Sequence, residues 1–97
     1  MSLAPEIKAK ARTPLLSRRW GDETVVYNPA SGQTHLLDLV SGEGLSCLQD
    51  SSLDLGTLCE RMAGRLDIEN DAELRQYVAS LLSQLEELGL VELEGVS

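Results

Sequence analysis

Few side chains in this 97-residue chain are equipped for chemistry, and none has the companions that chemistry needs. His35 is the only histidine. A general base needs a nucleophile to deprotonate, and a metal ligand needs further ligands beside it. His35 sits in Q-T-H-L-L-D-L, which offers neither, so a structural or cleft-lining histidine is favoured. Cys47 and Cys59 stand twelve residues apart with no C-x-x-C between them. Two thiols and one imidazole make a poor zinc set, and reduced, buried thiols are the expected state. Gly42-Glu43-Gly44 lacks the Lys and the spacing of a phosphate-cradling loop, and no G-x-S-x-G occurs. Glu86-Glu87 reads as a solvated helix end rather than an acid–base pair. No catalytic residue, metal site or cofactor is expected, and binding is the function class left standing.

Charge narrows the partners. The chain has 16 acidic and 8 basic residues, a formal net charge of −8. Nucleic acids and anionic membranes attract clustered Lys and Arg, so neither is the expected partner. The basic residues gather early, at Lys8, Lys10, Arg12, Arg18 and Arg19, and after Gly21 only Arg61, Arg65 and Arg75 remain. No apolar run approaches the ~20 residues of a membrane helix, and no signal-peptide core is evident, so a cytoplasmic protein is expected. Hydrophobic residues form 42% of the chain, with no Phe and a mainly aliphatic supply, enough for one modest core.

The elements that would position these residues follow from periodicity. Residues 1–13 lack it and are interrupted by Pro5, so they read as a flexible arm ahead of a single domain over 14–94. Leu15 to Trp20 and Glu23 to Asn28 read as strands, the second rich in β-branched and aromatic residues. Asn28-Pro29-Ala30-Ser31-Gly32 is a turn, and Gln33 to Leu39 returns as a strand with His35, Leu37 and Leu39 on one face, making a hairpin that Trp20 shields. The period then lengthens to that of helices. Ser41 caps a short helix reaching about Gln49, a second helix runs from about Asp54 to Leu66, and a third from Asn70 or Asp71 to Leu88, stopped by Gly89. Leu74, Val78, Leu81, Leu85 and Leu88 form the main apolar face of the last helix, and Leu82 widens it on the side of Arg75 and Ala79. Leu90 to Leu93 adds a short strand. Three strands followed by three helices predict an α+β domain of winged helix-turn-helix type.

The segments V-V-Y-N-P-A-S-G-Q-T-H-L-L-D-L, S-L-D-L-G-T-L-C-E-R-M-A-G-R-L and L-R-Q-Y-V-A-S-L-L-S-Q-L-E-E-L-G-L-V resemble, in order and spacing, the PqqD-like family. The Y-N-P-A-S-G-Q-T-H stretch is most similar to the subgroup associated with HPr-kinase-like proteins, the HPr-rel-A system. Gly42-Glu43-Gly44 departs from many relatives. The resemblance implies a non-catalytic chaperone that holds a ribosomally made precursor or leader peptide and presents it to a modifying or kinase-like enzyme. PqqD itself does so in pyrroloquinoline quinone biosynthesis.

The resemblance also implies strand addition, in which the peptide pairs with the edge of the third strand beside the last helix. Mapped here, the peptide site comprises Thr34, His35, Leu36, Leu37 and Asp38 of the strand and Arg75, Val78, Ala79 and Leu82 of the helix. For Leu37, Leu39 and Val78 a plain core role is favoured, and for Arg75 a solvated surface role. Leu82, off the centre of the apolar stripe, is the more telling cleft candidate. A structural adaptor or dimerising subunit is the alternative. Winged-helix DNA binding ranks lower, since the last helix presents Asp71, Glu73, Gln84, Glu86 and Glu87 against one Arg.

Overall fold

The computed structural model describes residues 7–12 and 14–94. Its elements in order are β1 (Lys8–Ala11), β2 (Leu16–Trp20), β3 (Glu23–Asn28), β4 (Gln33–Leu37), α1 (Leu39–Asp50), β5 (Leu53–Asp54), α2 (Leu55–Leu66), α3 (Ala72–Glu87) and β6 (Val91–Glu94). The three expected strands are β2, β3 and β4, the three expected helices follow them, and the strand anticipated after Gly89 is β6. The strands form two antiparallel sheets, ordered β2-β3-β4 and β5-β1-β6.

β1 corrects the flexible-arm expectation over residues 8–11; residues 1–6 and 13 of that expectation lie outside the described residues. Lys8-Ala9-Lys10-Ala11 alternates, and Ala9 and Ala11 are buried. Ala is a weak strand former, so the segment carries little local signal, and its pairing on both sides with β5 and β6 decides its structure. Lys10 lies opposite Glu92 and also reaches Glu94 at 2.9 Å, while Arg12 reaches Glu92 at 3.1 Å. The hydrogen bond that Lys10 donates to Glu94, together with the field of both carboxylates, holds the Lys10 ammonium above its ordinary range.

All three helices begin on an aspartate. Asp38 Oδ1 accepts from the Ser41 N–H at 2.8 Å, Asp54 Oδ1 from Thr57 at 2.7 Å and Asp71 Oδ1 from Leu74 at 2.9 Å. Each bond satisfies an N–H that the helix itself leaves unpaired. Asp38 thus replaces Ser41 as the cap of α1, and Leu39 belongs to that helix rather than to the preceding strand. α3 ends as Gly89 predicts: Gly89 adopts φ 79°, and the Leu90 N–H closes onto the Leu85 carbonyl at 2.9 Å.

The glycine-rich start of α1 is explained by packing. Gly42 rests against Thr24 of β3, and Gly44 faces Leu81 of α3 and Met62 of α2. Between them Glu43, largely buried, pairs with Arg19 of β2 and with Arg65 of α2 at 3.6 Å. The segment lets one helix touch a strand and two helices at close range. The core around it joins Val26, Leu37, Leu45, Leu48, Leu58, Met62, Val78, Leu85 and Leu90, with Cys47 and Cys59 buried and unbridged. Burial pushes both thiols above the ordinary cysteine range.

Candidate functional site

Sheet pairing leaves two edges on β2-β3-β4, and their sequences differ in kind. β2 is Leu-Ser-Arg-Arg-Trp, exposed at every position, with Arg18 placed over the Trp20 ring at 5.5 Å. Charged side chains on an edge discourage further pairing. Trp20 is 69% exposed and shields nothing; with Leu16, Tyr27 and Leu36 it lies on the outer face of the sheet, because the register Leu16↔Tyr27 and Val25↔Leu36 turns these residues away from Val26 and Leu37. β4 is Gln-Thr-His-Leu-Leu, with no Pro, Lys, Arg, Asp or Glu, and among the described residues pairs only with β3. It is the edge open to another strand.

The turn shows which groups of β4 point outward. The Gly32 N–H donates to the Asn28 carbonyl at 2.8 Å, and Gly32 takes φ 75°. That carbonyl faces the partner strand, which makes Asn28–Gln33 a hydrogen-bonded pair. Antiparallel pairs alternate, so Val26–His35 and Thr24–Leu37 are bonded likewise. Thr34 and Leu36 then turn their N–H and C=O groups to the free edge. Both are exposed, Leu36 at 63%.

On the inner face lie His35, half-buried, and Leu37, in the core. The Nε2 atom of His35 is buried and has no hydrogen-bond partner among the described residues. Asp38 is spent on the α1 cap.

Of the helix residues expected beside this strand, Val78 takes the favoured core role and Arg75 the favoured surface role. Leu82 is 2% exposed, and Val78 and Ala79 are buried with it. Arg75 is exposed but lies against the start of α2: its Nη2 stands 3.2 Å from where a Cβ on Gly56 would be. Ala79 and Leu82 continue the same helical row. Leu82, the cleft candidate that widens the apolar stripe, is buried with the core cluster. The opposite flank, with Tyr77, Gln84 and Leu88 at i, i+7 and i+11, stays open. Tyr77 is 47% exposed and Leu88 41%, so Leu88 also departs from the core role expected of it.

Two contacts fix the hairpin. The Asn28 side-chain amide donates to the Gly89 carbonyl at 3.4 Å, tying the turn to the end of α3. Gly42 holds the other end of β3 on α1, and α1 meets α3 at Leu81. The hairpin turn thus reaches the end of α3, and the candidate site is the free edge of β4; Tyr77 and Leu88 are exposed side chains on α3. The exposure of Tyr77 and Leu88 was not legible in the sequence, because both flanks of α3 carry apolar residues.

Among the described residues no group of three His, Cys, Asp or Glu side chains is placed to hold a metal, and no helix is long and apolar enough to cross a membrane. A sequence model of the family described as Coenzyme PQQ synthesis protein D (PqqD) matches residues 23–91. TbiB1, solved in complex with the TbiA(beta) leader peptide, superposes with a TM-score of 0.69 at 19% identity, over 91% of this chain and 98% of that one. The two share a fold. No curated protein matches the chain.

Proposed function

The chain belongs to the PqqD family, and from that premise we propose that it is a non-catalytic peptide-binding domain that holds a ribosomally made precursor or leader peptide as a strand added to β4. The observation that carries this reading is the contrast between the sheet's two edges: β2 is guarded by Arg18 and Arg19, whereas β4 is uncharged and among the described residues pairs on one side only. Strand addition suits a carrier. Backbone hydrogen bonds to the outward groups of Thr34 and Leu36 give affinity that tolerates sequence, and side chains entering beside Tyr77 and Leu88 give selectivity. TbiB1, the structural relative, was solved with a leader peptide, which supports the same reading.

The peptide would be presented to a modifying enzyme, or to a kinase-like protein as in the HPr-related subgroup. The single domain proposed here, from about residue 14 to 94, gains β1 as the central strand of its second sheet. The test is an NMR titration with peptides encoded beside the gene. Shifts gathered on β4 and on the Tyr77–Leu88 flank are expected; shifts confined to α1 or β1 would refute the assignment.

A structural adaptor or dimerising role is the second reading, favoured by the outer face of the sheet, where Leu16, Trp20, Tyr27 and Leu36 are exposed together. Light scattering of the purified chain with and without peptide separates the two. A DNA-binding role is disfavoured by α3, whose exposed charges are Glu73, Glu86 and Glu87 against Arg75.

A further inference from the structure

Resting on the strand-addition reading, we infer that His35 determines which peptides bind, through a hydrogen bond between its Nε2 and a polar side chain of the added strand. The structural ground is the state of that atom: Nε2 is buried with no hydrogen-bond partner among the described residues. Buried polar atoms in folded proteins are almost always paired, because an unpaired one has lost its water and gained nothing. An exception on an edge strand is a place where the partner comes from outside the chain. The residue as a whole keeps part of its surface open, and it sits on the edge strand to which a peptide would be added.

Geometry then specifies the client. His35 and Leu37 share the inner face of β4, as their pairing with Val26 and Thr24 requires. A strand laid on the free edge sets one residue opposite His35 on that face, with Cβ atoms about 4.5–5.5 Å apart. A Ser, Thr, Asn, Gln, Asp or Glu there is within reach of Nε2, which donates or accepts according to its tautomer. Two positions away the peptide faces Leu37, where only an apolar side chain fits the surroundings. The residue between points to the outer face and is unconstrained. The client class is thus an extended peptide with a polar–x–apolar pattern, its polar residue matched to His35.

A display library of random twelve-residue peptides, selected on the wild-type chain and on His35→Leu, tests this. Peptides selected on wild type should share the polar–x–apolar pattern and shift β4 resonances. Replacing the polar residue by Ala should weaken binding roughly tenfold on wild type and little on His35→Leu, so that the two changes are coupled. Should His35→Leu not fold, the wild-type imidazole decides: its Nε2 resonance must move on adding a selected peptide and stay in place with the Ala-substituted form. Peptides that bind along β4 without this coupling, or without moving Nε2, overturn the role of His35 and leave strand addition standing. Peptides that bind away from β4 overturn both.

Discussion

Gly42 lies so close to Thr24 that a methyl group added to it would stand 2.5 Å from the Thr24 hydroxyl oxygen. That contact seats α1 on β3 and so fixes the hairpin whose outer strand is β4. Gly42→Ala should therefore destabilise the fold by about 1–3 kcal/mol, because a β-branched side chain on a paired strand has little room to yield. Gly64, in α2, is exposed with no atom within 4 Å of an added methyl, and Gly64→Ala should stabilise by about 0.5–1 kcal/mol through helix propensity. Urea unfolding of both variants checks the opposite signs.

Leu82 and Tyr77 should separate folding from binding. Leu82→Glu places a carboxylate in the core and should unfold the domain, visible by circular dichroism. Tyr77→Glu, on the open flank of α3, should keep the native spectrum and weaken peptide binding by about tenfold or more. A folded, peptide-competent Leu82→Glu protein would show the helix rotated from the position described.

The backbone of β4 should matter more than its outward side chains. Leu36→Pro removes an N–H that faces the free edge, so it should abolish detectable strand addition while circular dichroism stays native. Leu36→Ala should change affinity by only a few-fold. Equal effects from the two would mean that a side-chain pocket, not strand pairing, holds the peptide.

Cys47 and Cys59 should resist thiol reagents in the native state and react rapidly once the chain is denatured. Both are buried, and burial keeps their thiolates disfavoured. Fast native labelling of either would contradict the helical faces assigned to α1 and α2.

Asp54 should contribute to acid sensitivity. The Thr57 backbone hydrogen bond holds its carboxyl below the usual aspartate range. With the folded value depressed, the unfolded chain binds the proton more readily, so stability rises with pH. The contribution is complete above the unfolded value of about 3.9 and is lost as pH falls through the lower folded one. Asp54→Asn keeps an oxygen acceptor without the charge. Its stability should therefore fall less steeply than that of wild type as the pH drops below about 4.

What sequence alone determined is local and periodic. The β-branched run Glu23–Asn28, the Pro29–Gly32 turn and the 3.6-residue repeat through Leu74, Val78, Leu81 and Leu85 specified a hairpin and helices, and Asn70-Asp71 and Gly89 marked where the longest helix begins and ends, with Asp71 proving to be the cap. The family resemblance rested on the order of these same segments. The tertiary structure decided what depends on partners distant in sequence. Lys8–Ala11 became a strand because β5 and β6 pair with it, overriding the weak propensity of Ala. Gly42-Glu43-Gly44 acquired its meaning from Thr24, Arg19, Arg65 and Leu81. Above all, packing buried Val78, Ala79 and Leu82, set Arg75 against the start of α2, and left Tyr77 and Leu88 exposed. A helix with apolar residues on more than one side has no preferred facing of its own. Its orientation is chosen by whichever neighbours bury the most surface, and that competition is settled only in the folded chain.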